Sequence, residues 1–213
     1  DMKIVFLGVG EAFDPNQPNN SHLLISEKAK LLVDCGLTAA PQVWKYDENP
    51  DLLDAVYLSH WHADHYFGLP GLLLRMWEGG RTRKFYIISR KGFKEQFSKL
   101  MDMAYLDFMP KFKFEIEIIE VEEDKETYFN GLTMSFSKTV HSGENFAIKI
   151  SDGQKVYAYS GDGSPTAGTD FYSNLDLLIL EAYLYDIEKI GHSSLVIAIR
   201  FAEENNAKCL ALT

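Results

Sequence analysis

A single layered α/β domain is the fold class this sequence predicts, and three observations predict it. Short apolar runs rich in β-branched residues recur along the chain, helical spacing appears between some of them, and the last forty residues read strand–helix–strand. The 213 residues supply one substantial core and too little chain for two comfortable domains, so one domain is expected over 1–213.

In chain order, KIVFLG, SHLLIS and KLLVDCG have the patterning of strands, separated by turn-rich DPNQPNN and by SEKAK. TAAPQVWKY suits a short helix whose start is limited by Pro41. DAVYLS reads as a buried strand, and HYFGLPGLLLRMWEGG as one helix ending at Gly79 and Gly80. KFYIIS is a further buried strand, and Phe93, Phe97, Leu100, Met101 and Ala104 recur with helical spacing. Alternation of Phe114, Ile116 and Ile118 with Glu115 and Glu117 predicts a strand with one wet face. Asn130-Gly131 marks a turn into LTMSFSKTV, and Asp152-Gly153 a hairpin inside FAIKISDGQKVYAYSGD. DLLILEA, SSLVIAIRFAEENNA and KCLALT complete the pattern as strand, helix and strand.

Composition narrows the function classes. No apolar stretch approaches the roughly 20 residues of a membrane span, and the first residues read as a strand with no secretory signal, so a cytoplasmic protein is expected. Cys35 and Cys209 lie in or beside apolar runs and read as buried free thiols of a reducing compartment. A net charge of −10 argues against a general polyanion binder. Eight basic residues between Arg75 and Lys99 dissent, and a solvated helix face is the preferred reading over a substrate-steering patch.

The chemistry concentrates in LSHWHADH. His60, His62, Asp64 and His65 place four candidate ligands in six positions after a buried strand. Imidazole with carboxylate suits zinc, manganese or iron rather than calcium, which prefers all-oxygen shells.

LSHWHADH resembles the signature of the metallo-β-lactamase superfamily, and later motifs match that superfamily in order. Val140-His141-Ser142 resembles its next histidine motif, and Tyr159-Ser160-Gly161-Asp162 the strand end that carries its bridging aspartate. The resemblance runs from Lys3 to Thr213 and implies an αββα four-layer sandwich with a two-metal site. By it, His60, His62 and His141 hold one metal, Asp64 and His65 the other, and Asp162 bridges them. Two divalent transition metals are implied, zinc first, with manganese or iron as alternatives.

Gly8-Val9-Gly10, Asn20-Ser21-His22, Val33-Asp34-Cys35-Gly36, Leu180-Glu181-Ala182 and Gly191-His192-Ser193-Ser194 resemble the ribonuclease Z-like branch. That likeness makes His192 a proton donor or transition-state stabiliser, oriented by Glu181 or Asp64, against its plainer reading as a residue ahead of a helix cap. Two departures stand out. Ribonuclease Z proper carries a long transfer-RNA-gripping arm between the third histidine and the bridging aspartate, whereas the interval from His141 to Asp162 has room for one hairpin. A transfer-RNA substrate is therefore not expected without the arm. The branch also has a terminal histidine ligand after its last strand, where this sequence reads LALT and stops at Thr213. Either the chain is cut back there, or the second metal has one protein ligand fewer. His22 matches no metal motif.

The expected function is a two-metal hydrolase that activates water, acting as a phosphodiesterase on a small-molecule or nucleotide phosphodiester. The alternatives are hydrolysis of carboxylic esters, lactones or thioesters at the same site, and a non-catalytic metal-binding or regulatory role. No membrane partner is expected. A homodimer is suggested by the branch alone.

Overall fold

The computed structural model describes residues 2–166, 170–187 and 189–213. Two compact units divide the chain, one of Lys3–Ile25 with Ala29–Val121, the other of Ser26–Lys28 with Glu122–Thr213 and the first residues.

In the first unit, six strands form one sheet in chain order: β1 (Lys3–Gly8), β2 (Ser21–Ile25), β3 (Lys30–Val33), β4 (Ala55–Tyr57), β5 (Phe85–Arg90) and β6 (Ile116–Val121). The first three run antiparallel, and the pairings β3–β4, β4–β5 and β5–β6 are parallel. Val33 pairs with Tyr57 and Tyr57 with Ile88, so β3, β4 and β5 end at one edge of the sheet. In open α/β sheets, ligand sites gather beyond such carboxyl ends. The parallel crossovers are α1 (Ala40–Tyr46), α3 (Leu69–Glu78) and α4 (Phe93–Ala104). Pro41 sits in the first turn of α1, where its missing N–H costs nothing. The core combines Leu32, Val56 and Ile87 with Leu69, Leu72, Leu73 and Met76 of α3 and Phe93, Phe97 and Met101 of α4.

In the second unit the sheet order is β12-β11-β10-β9-β8-β7, from β7 (Thr127–Phe129), β8 (Leu132–Lys138), β9 (Phe146–Ser151), β10 (Val156–Tyr159), β11 (Leu177–Leu180) and β12 (Leu210–Leu212). Asn130 (φ 46°) and Gly131 (φ 79°) make the β7–β8 turn, both in the left-handed region that a two-residue hairpin demands. The β9–β10 turn closes on Asp152, whose Oδ1 accepts from the N–H groups of Gln154 (2.9 Å) and Lys155 (2.8 Å). β8, β10, β11 and β12 point the same way, so β8, β10 and β11 also deliver their C-termini to one end. The helix α5 (Leu195–Glu204) buries Ala198, Phe201 and Ala202 against Tyr172, Leu175, Leu178 and Leu180. Ser194 caps it by accepting the Ile197 N–H.

Three expectations change. The single helix expected from His65 to Glu78 is broken into α2 (Ala63–Tyr66) and α3. Pro70 has no N–H to continue the ladder, and the Gly68 N–H donates to Cys35 O (2.9 Å) instead. Cys35 is buried as expected, but Cys209 is exposed, because it precedes β12 at the edge of its sheet. The basic segment is not one solvated face. Arg81 is fully buried, donating to the carbonyls of Pro50, Arg83 and Lys84, while Lys84 bridges Glu115 and Glu117 and Lys99 pairs with Glu95. Among the described residues, no helix is long and apolar enough to cross a membrane.

Candidate metal centre

Beyond β3, Asp34 takes the left-handed conformation (φ 59°) and is fully buried. That turn aims its carboxylate at the loop after β4. Oδ1 accepts the Ser59 N–H (2.8 Å), and Oδ2 accepts the Ser59 hydroxyl (2.8 Å). The same Oδ2 lies 2.8 Å from His65 Nδ1. The loop is also sewn down through backbone, with Cys35 N–H on His65 O (2.8 Å). Gly36 allows this approach, since a Cβ there would lie 1.8 Å from Asp64 O.

These contacts fix tautomers. A carboxylate only accepts, so His65 Nδ1 carries a proton toward Asp34, and Nε2, which faces Asp64 Oδ2, is the nitrogen left to meet a cation. The Ser59 hydroxyl has one proton and gives it to Asp34. Its oxygen then accepts from His60 Nδ1 at 3.0 Å, which leaves His60 Nε2 basic. His60 Nε2 lies 3.0 Å from His62 Nδ1, and Asp64 Oδ2 lies 3.3 Å from His65 Nε2. Two nitrogens sharing a tetrahedral zinc at about 2.05 Å stand about 3.3 Å apart, so the His60–His62 spacing fits one cation. Around them, Trp61 donates from Nε1 to Ser89 Oγ (3.0 Å), and the Arg90 guanidinium lies 3.4 Å from its ring centroid. Tyr66 is buried, its hydroxyl accepting from Gln96 Nε2 (2.8 Å), and Trp77 donates to Lys111 O.

The second unit presents its own set. His141 follows β8, and its Nδ1 lies 3.0 Å from Gly191 O; a carbonyl there requires Nδ1–H and leaves Nε2 as the basic nitrogen. Asp162 follows β10. The buried Asn145 amide holds the two loops, donating to Ser160 O (2.8 Å) and Asp162 O (2.6 Å). Glu181, at the end of β11, accepts the Gly163 N–H through Oε2 (2.8 Å) and meets His192 Nδ1 through Oε1 (2.5 Å). Burial pushes the Glu181 carboxyl up from its ordinary range, the Asp162 charge adds to this, and the His192 hydrogen bond opposes it. The His192 ring meets that of His141 edge-on, centroids 5.3 Å apart.

The structure thus gathers His60, His62, Asp64 and His65 in one unit, and His141, Asp162, Glu181 and His192 in the other. Three residues that order the candidate site went unassigned from sequence: Asp34, Ser59 and Asn145. Only Asp34 left a trace there, as a polar residue closing an apolar strand. His22 is fully buried on β2 beside the Phe6 ring, which suits its lack of a metal motif.

Parallel strands ending on a histidine–aspartate loop define a class, and comparison with known proteins agrees. The fold is shared with the crystal structure of the metallo-β-lactamase fold protein YhfI from Bacillus subtilis, at TM-score 0.85, 29% identity, and coverage of 100% of this chain and 85% of that one. In sequence, the same organism's "Probable metallo-hydrolase YhfI" is 30% identical over all of this chain and 86% of its own length. A ribonuclease Z of Bacillus mycoides is 30% identical over 70% of this chain, which spans 49% of that relative's length. The crystal structure of human tRNase Z, short form, shares the fold at TM-score 0.85 and 23% identity, covering 99% of this chain and 91% of that one. The chain is a member of the metallo-β-lactamase superfamily in its ribonuclease Z-like branch. Within it, the chain belongs to the family described as "Anti-Pycsar protein Apyc1", whose sequence model matches residues 2–205. Metallo-hydrolase relatives imply a divalent metal, and the histidine–aspartate cluster supplies ligands for one.

Proposed function

We propose that this protein is a metal-dependent phosphodiesterase acting on a small or nucleotide phosphodiester. The observation that carries the reading is the His60–His65 loop, where Ser59 holds His60 and Asp34 holds His65 at Nδ1, so that both Nε2 atoms point away from those anchors. In this reading His60, His62 and His141 would hold one divalent metal and Asp64 and His65 a second, with Asp162 available to both and zinc the first expectation. A two-metal centre supplies activated water and charge neutralisation for an anionic substrate.

The chain's own residues do the rest. Asp34 and Ser59 keep two imidazoles in ligand form, so little reorganisation is needed when metal enters. His192 donates a proton from Nε2 to the leaving oxygen, while Glu181 at Nδ1 holds the ring. The His141–Asp162 interval is occupied by β9 and β10, which supports a small diester over transfer RNA, the substrate in the human relative's name. Free thiols among the described cysteines support a reducing, cytoplasmic setting.

Elemental analysis with hydrolysis of bis(p-nitrophenyl) phosphate, p-nitrophenyl acetate and lactones tests this. Two equivalents of metal and phosphodiester turnover that disappears in His60→Ala are expected. Lactone opening with phosphodiesters intact would move the site to carboxylic esters, and no metal after reconstitution would leave a non-catalytic fold.

A further inference from the structure

Tyr183, two residues beyond Glu181, has no role in the mechanism above. Its ring lies against the His192 imidazole, with centroids 4.8 Å apart and planes inclined by 31°. That is a tilted stack, in contrast to the edge-on meeting of His192 with His141 at 89°. The tyrosine is itself held in place. Its N–H donates to Ser193 O (2.9 Å), next in sequence to the ring it covers, and Leu184 and Ser194 form the adjoining bridge. The His192 N–H in turn donates to Lys189 O (2.9 Å), and the Lys189 ammonium sits 4.6 Å from the Tyr183 centroid. Tyr183 is 41% exposed, so it covers His192 without being a core residue.

A single hydrogen bond at one nitrogen tolerates some swing of an imidazole about its side-chain torsions, and Glu181 Oε1 is the side-chain acceptor at His192 Nδ1. A second, face-on contact removes that freedom and fixes where Nε2 points. We propose that Tyr183 is a positioning residue for His192, setting the ring plane from which the leaving oxygen is protonated; the proposal rests on the phosphodiesterase reading. The role belongs to the aromatic face and not to the hydroxyl.

The chemistry separates this role from packing. A p-nitrophenolate leaves with little help, whereas a phenolate needs its oxygen protonated as the P–O bond breaks. A misaimed proton donor therefore penalises the second and spares the first. The experiment measures kcat and KM for methyl p-nitrophenyl phosphate and methyl phenyl phosphate with the metal-loaded parent, Tyr183→Phe and Tyr183→Ala. The alanine variant should lose about tenfold in kcat on the phenyl diester and less than about threefold on the nitrophenyl diester, with KM unchanged. The phenylalanine variant should stay within about twofold of the parent on both, because the stacking face is retained. Equal losses on both diesters, a change confined to KM, or no loss in the alanine variant would overturn the proposal.

A second readout needs no turnover. The His192 ring-proton resonances should shift and broaden in Tyr183→Ala and stay put in Tyr183→Phe, with thermal melts confirming that both variants fold. A parent that cleaves neither diester ends the phosphodiesterase reading. The resonances still decide Tyr183, since unchanged His192 signals in the alanine variant refute its positioning role.

Discussion

Acidification from pH 7 to 5 should destabilise this protein through one side chain outside the metal centre, His22. Its imidazole is fully buried on β2, and burial holds its pKa down to about 3 against an ordinary 6.5. The folded-state value is depressed, so below pH 6.5 the unfolded chain takes up a proton that the folded chain refuses. Stability from this group is therefore intact above pH 6.5 and falls as pH drops toward 3. At about 1.4 kcal/mol per pH unit, the loss is about 2 kcal/mol by pH 5 and about 5 kcal/mol in full. For a chain of this size, about 2 kcal/mol is a drop of roughly 4–8 °C in Tm. The assay is thermal or urea unfolding at pH 7, 6 and 5 for the parent and His22→Leu. Comparing the two cancels the other five histidines and any metal loss common to both. The variant should lose about 2 kcal/mol less than the parent between pH 7 and 5. Parallel losses in the two proteins would refute the reasoning.

Asp34→Asn leaves one acceptor oxygen where two serve Ser59 and His65 and puts an NH2 donor in place of the other, so metal affinity should fall about 10- to 100-fold in chelator competition, with much less effect on Tm. Gly36→Ala forces a Cβ to 1.8 Å from Asp64 O, and the displaced loop should cost more than about 2 kcal/mol in urea unfolding and lower the metal stoichiometry. Arg81→Met takes the donor from three part-buried carbonyls and should cost about 1–3 kcal/mol, read as a lower urea midpoint.

What the sequence made legible was local. The histidine–aspartate loop could be read because His60, His62, Asp64 and His65 fall within six positions, and strands such as β5 and β8 show their patterning in a few residues. The break before α3 could not, because it depends on a hydrogen bond from Gly68 to Cys35, thirty-three positions back. The work of Asp34 was hidden for the same reason: its partners lie 25 and 31 residues away. Cys209 misled because its neighbours are apolar, and a strand at a sheet edge leaves such residues only half covered. Arg81 misled in the opposite sense. A cation in a basic stretch reads as surface until the three carbonyls that receive it are known.

The shared carboxylate of Asp34 has a consequence for anyone redesigning this centre. One oxygen serves the Ser59 hydroxyl and the His65 ring, and the same hydroxyl serves His60. The orientations of His60 and His65 are therefore correlated variables. A library that randomises positions 34 and 59 independently would fill mostly with sequences in which one ring is released along with the other. Successful variants should appear as matched pairs, so the two positions need to be varied as a single unit.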